Sequence, residues 1–102
     1  TVYTTVEATF RNEAENEDIT AEIRTEAEDH LVCYTSTGPT LTITRTDKDA
    51  NDFELGLTTS WETGEASSGT VLLSLRHQPG LKDGTCDPGD SDVEVTFAVT
   101  IQ

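Results

Sequence analysis

The sequence predicts a mainly β protein, an antiparallel immunoglobulin-like β-sandwich carrying one short α-helix, and three observations lead there. Six short segments alternate apolar and polar residues with the period of two that a half-buried strand requires. Thr and Val dominate those segments, and branching at Cβ favours extended backbone. A single stretch, residues 18–31, has the four-residue apolar spacing of a helix instead. At 102 residues and 11.1 kDa the chain is one domain, 1–102, able to build one modest core. No internal repeat is evident.

Over residues 1–11, Val2, Val6, Ala8 and Phe10 fall on one face and Tyr3, Thr5, Glu7, Thr9 and Arg11 on the other. Residues 12–17 read as an acidic connection into the helix. There Ile19, Ile23, Ala27 and Leu31 form a thin apolar stripe, and Asp18 is placed to cap the first turn. Glu22, Glu26 and His30 lie along its flank, where two glutamates one turn apart repel unless solvent or a cation intervenes. Strand character returns from Val32 to Thr35, and Gly38-Pro39 signals a turn. Thr40 to Thr46 places Leu41 and Ile43 on one face against a solvated row of threonines. After the loop 47–54 come strand positions Leu55, Leu57 and Trp61, then a Gly/Ser-rich turn over 64–69. Val71, Leu73 and Leu75 mark the next strand, which ends at Arg76-His77. A long loop, 78–91, leads to the last strand, Asp92 to Gln102, expected to bury Val93, Val95, Phe97, Val99 and Ile101.

Twenty Asp and Glu against six Lys and Arg give a formal charge of −14. Phosphates would repel such a chain, so nucleic acid and anionic membrane surfaces are excluded as partners. Cations, basic partners, or a salty or calcium-rich medium are favoured. No apolar run is long enough to span a bilayer, so no direct membrane insertion is expected. A chain without Met that begins at Thr1 is expected to be a processed product or an excised piece. Cys33 and Cys86 form an even pair in a small acidic chain. That pattern points to a disulfide and an oxidising, extracellular or cell-surface location; two free thiols are the alternative.

Asp47, Asp49 and Asn51 follow a D-x-D-x-N pattern, with Asp52 and Glu54 behind them. Hard oxygen ligands at alternate positions of a tight loop suit calcium, although the spacing is not that of an EF-hand. The competing reading is an acidic turn in which Asp and Asn bond the local backbone. Asp83, Asp87, Asp90 and Asp92 form a second acidic cluster, either another calcium loop or a solvated Gly/Pro turn. A second candidate set, Glu22, Glu26, His30 and His77, has the ligand types for zinc or copper. Its competing reading is a helix-end histidine and a strand-end histidine in ordinary roles. No nucleophile elbow or phosphate-binding loop is present, so catalysis is not expected.

Taken together, the segments Phe10 to Glu15, Glu17 to Ile23, the Glu26-to-His30 spacing, Thr46-Asp47 to Asn51, Thr70 to His77 and Asp90 to Phe97 carry a resemblance. They resemble a group of small, acidic, uncharacterised surface lipoproteins of Bacteroidetes-type bacteria. The resemblance covers most of the chain and implies export, a cell-surface location and a β-rich domain. It also implies a lipidated cysteine, an acidic linker and further strands ahead of the point matching Thr1. Glu26, His30, His77, Asp47, Asp49 and Asn51 share the group's pattern, which raises their standing as ligands.

The function expected from all this is that of an extracellular structural or interaction protein. It is read as a calcium-binding β-sandwich that self-associates by edge-strand pairing, as a homo-oligomer, polymer or filament subunit, or that binds a cell-surface glycan or protein. Val2 to Phe10 and Val93 to Ile101 are the candidate pairing strands. The alternative is a surface-exposed zinc- or copper-binding module.

Overall fold

A computed structural model describes residues 2–12 and 17–102. Most of the expected acidic connection, residues 13–16, lies outside them. Two three-stranded antiparallel sheets form a sandwich-like arrangement, with a two-stranded ribbon and one short helix at one end. The first sheet has the order β1 (Val2–Glu7), β6 (Thr58–Thr63), β5 (Leu41–Arg45), and the second β4 (His30–Thr37), β7 (Ser67–His77), β8 (Asp90–Ile101). The ribbon pairs β2 (Arg11–Asn12) with β3 (Glu17–Asp18). Phe10, Ile23, Val32, Leu55, Leu57, Leu73 and Leu75 form the buried core.

The helix is shorter than its apolar spacing suggests. Helix α1 covers only Thr20–Thr25, a 3₁₀ turn follows at Ala27–Asp29, and His30 is already extended backbone. Ile19, Ile23 and Ala27 do pack on the core, but Leu31 leaves the stripe for β4, where it pairs with Arg76 of β7. Two forces shorten the helix. Glu26, Glu28 and Asp29 stack negative charge at its negative end, and the β-favouring run Val32 to Thr35 draws the chain into the sheet. Ile19, not Asp18 as expected, is the N-cap residue and no side chain caps the helix; Asp18, one residue further out, accepts the Thr20 N–H on Oδ1 at 2.9 Å. Hydrogen bonds from Thr20 hold its carboxyl below the usual range.

The first strand also departs from simple alternation. Tyr3 pairs with Trp61 and Val6 with Thr59, so the register shifts between them. That irregularity reverses the phase of the first residues. Tyr3 shares the face of Trp61 and borders the space between the sheets with Val99 and Ile101, and both Val2 and Tyr3 are about half exposed.

Across the second sheet, apolar rows run from β4 through β7 to β8. Leu75 pairs with Val93, Leu73 with Val95 and Val71 with Phe97. The expected burial of the last strand fails along these rows. Val71 is 1% exposed and Leu73 9%, yet Val95 is 41% exposed and Phe97 50%. The strand has the alternation of a buried element, but nothing described lies over its middle.

Candidate functional site

The exposed residues of β8 form one wall of a groove of about 500 Å³ that opens between the sheets. Val93, Val95 and Phe97 form that wall, and Val6 to Arg11, at and beyond the end of β1, form the other. Its floor is the core itself, through Tyr34, Trp61, Val71 and Leu73. A second hollow, bordered by Tyr3, Trp61, Val99 and Ile101, continues the same seam toward the other end of β8. Among the described residues β1 pairs only with β6 and β8 only with β7, so β8 and the β1 part of the other wall are sheet edges, while Phe10 and Arg11 bond to the segment at Asp18 and Ile19. Four of the six exposed large hydrophobics among the described residues, Val2, Tyr3, Val95 and Phe97, sit on these two strands.

The opposite side is shut. Leu55 lies against β4, its carbonyl accepting the Val32 N–H at 2.7 Å, and Arg45 Nε donates to the Val32 carbonyl at 2.7 Å. Gly56 makes this approach possible: its φ is +95°, and a Cβ there would lie 2.7 Å from the Val32 oxygen. Tyr34 donates its hydroxyl to the Gly56 carbonyl at 2.7 Å. Burial, with the charge of Asp47 adding to it, pushes the Tyr34 phenol up to about 12. The disulfide forms between Cys33 and Cys86, and Arg45 Nη2 lies 3.6 and 3.4 Å from the two sulfurs.

The acids of the D-x-D-x-N loop are occupied within the chain. Asp47 accepts the Gly56 N–H on Oδ1 at 2.7 Å and the Thr58 N–H on Oδ2 at 3.1 Å. Asp49 Oδ1 accepts the Asn51 and Phe53 N–H groups at 2.9 and 3.0 Å. Its Oδ2 receives Lys82 Nζ at 2.8 Å, and both side chains are almost wholly shielded from solvent. Lys82 also donates to the Ala27 carbonyl at 3.0 Å, tying the helical end to both loops. Burial alone would push the Asp49 carboxyl up. The hydrogen bonds from Lys82, Phe53 and Asn51 outweigh it, with the Lys82 charge, and hold the carboxyl below the usual range.

Sequence reasoning missed this lysine as the loop's counter-ion. The available signal was its isolation, because Lys82 is the sole cation of the loop 78–91. Of the remaining calcium candidates, Glu54 pairs with Arg45 and Asp52 with Lys48, while Asn51 is exposed. Asp87, Asp90 and Asp92 are exposed too, and Asp83 accepts from Thr85 within its own turn. Hydrogen bonds from Thr85 hold the Asp83 carboxyl low.

His30 and His77 do come together, as partners in the β4–β7 ladder with stacked rings 5.1 Å apart. The expected helical pairing with Glu26 takes another form: His30 Nδ1 lies 3.0 Å from the Glu26 main-chain carbonyl. A carbonyl only accepts, so that nitrogen carries the proton. The side chains of Glu22 and Glu26 are exposed. Among the described residues, no three of His, Cys, Asp and Glu gather as a metal-ligand set, and no helix is long and apolar enough to cross a membrane.

Neither a protein-family model, nor a curated protein, nor a solved structure matches this chain.

Proposed function

We propose that the protein is an extracellular interaction module, an immunoglobulin-like sandwich open on one side that is completed by an extended segment of a partner. One observation carries this reading. The apolar interior reaches the surface between two sheet edges, where Val95 and Phe97 stand about half exposed beside main-chain groups available for pairing. An added strand answers both needs at once, because its backbone pairs with an edge while alternate side chains enter the groove. The disulfide supports an oxidising location and hence export. Calcium has a smaller part here than the composition suggests, since Asp47 and Asp49 already hold amides and an ammonium.

Trp61, the single tryptophan, borders the groove and reports its occupancy. Titration with a peptide of about ten residues, Val alternating with Thr, is expected to shift Trp61 emission to the blue. Phe97→Asp should abolish the shift without unfolding the chain, because that side chain is half exposed. Sedimentation of the chain alone reads self-association through the same edges. A monomer whose Trp61 emission ignores the peptide would end the reading.

A further inference from the structure

The open side has a sign as well as a shape. Strand β1 carries Glu7, and β8 carries Asp90, Asp92 and Glu94; neither strand contains a Lys or Arg, and Arg11, the cation on the groove's far wall, is paired with Asp18 in the β2–β3 ribbon. All four carboxylates are exposed. Alternation along β8 puts Val93, Val95 and Phe97 toward the groove and Glu94 on the opposite face. We propose, resting on the strand-accepting reading of the groove, that its occupant is cationic: an extended segment of a partner protein, apolar at alternate positions with Lys or Arg between them, laid along the free edge of β8.

Three features select β8 and a basic partner. First, β8 is 12 residues long, while β1 has 6 and is interrupted by a register shift that spoils a continuous pairing edge. From Val93 to Ile101, β8 offers room for about nine residues of incoming strand. Second, residues directly opposite in a ladder share a face. The side chains filling the groove therefore oppose Val95 and Phe97, and those on the outer face meet Glu94, where opposite charge favours pairing and like charge opposes it. Third, a second copy would bring the same acids to the same edge on top of a formal charge of −14 on each chain. That repulsion disfavours the self-pairing expected from the strand pattern alone.

The test compares four peptides of about ten residues by Trp61 emission: Val alternating with Lys, with Thr or with Glu, and a block peptide with the Val–Lys composition but no alternation. The Val–Lys peptide is expected to bind about tenfold tighter than Val–Thr, with Val–Glu weakest and the block peptide no better than Val–Thr. Salt at about 0.5 M should erase most of the Lys advantage. Asp92→Asn with Glu94→Gln should cut it to about threefold or less, read as the ratio of Val–Lys to Val–Thr affinity on that variant, and the fold should tolerate the change because both side chains are exposed. Equal affinity for the Lys and Thr peptides overturns the cationic partner and leaves the groove standing. Block-peptide binding as tight as Val–Lys shows attraction by charge alone and overturns strand addition by such a partner. Binding by none removes the groove reading as well. Sedimentation that finds dimers in which Trp61 is covered assigns the edge to a second copy and overturns the cationic partner.

Discussion

The two long sides of the sandwich are built from similar strands and finished in opposite ways. On the β4/β5 side, the segment ending at Leu57 covers the edge of β4, with Arg45, a disulfide and the Lys82–Asp49 ion pair fastening the loops. On the β1/β8 side, two edges stand apart over an apolar floor. A small domain has few apolar residues to spend on covering itself, and this chain has only 33%. A disulfide and a shielded ion pair hold one side, and the other is left open. The contrast makes a general prediction: changes on the closed side cost stability, and changes on the open side cost binding.

The largest effect should come from Lys82→Met. It strands the shielded Asp49 carboxylate without its ammonium, and breaking a buried pair costs about 3 kcal/mol or more. The melting temperature should fall by roughly 10–20 °C in a thermal scan. Replacing both partners, Lys82→Met with Asp49→Leu, should recover part of that loss. Recovery near zero would place the cost in the backbone amides that Asp49 also serves. Next comes removal of the cross-link. Cys33→Ala with Cys86→Ala should lower stability by about 2–4 kcal/mol, read from denaturant midpoints. Trp61 emission with the strand peptide should be unchanged, since the groove is on the other side.

What could be read from the sequence divides along the same line. Most of the strands and the Cys33–Cys86 bridge follow from alternation and cysteine count, although Leu55 and Leu57, expected in a strand with Trp61, lie in the connection that precedes β6. The partner of Asp49 does not, because Lys82 is 33 residues away and only tertiary packing brings the two together. The helix ends short of Leu31 because the apolar spacing there suits either a helix or the start of a strand, and pairing with Arg76 decides it. The open groove was invisible for a different reason. Alternation shows that Val95 and Phe97 share a face, but not whether anything covers that face.

A smaller stability effect belongs to Phe97. A fully buried Phe replaced by Ala costs about 3–5 kcal/mol, yet a half-exposed one should cost about 1. Phe97→Ala should therefore melt close to the parent while losing most of its affinity for the strand peptide. A loss of stability as large as that of Lys82→Met would mean that the open side is part of the core after all.

The smallest effect is a pH dependence that also distinguishes the sides. The Asp49 carboxyl is held below its ordinary value, so the unfolded chain binds a proton at this site more readily than the folded one. Its contribution is complete above the unfolded value of about 4 and is lost as pH falls through the lower folded value. In Asp49→Asn that part of the acid slope should vanish, leaving the shallower contributions of exposed Asp18 and Asp83. At the alkaline end the sign reverses. Tyr34, raised to about 12, favours the folded state until pH climbs past the unfolded value near 10, and that advantage is lost between the two. Chemical denaturation across both ranges, with Asp49→Asn and Tyr34→Phe in parallel, separates the two slopes. An acid slope that survives Asp49→Asn unchanged would move the acid-sensitive contact away from the closed side.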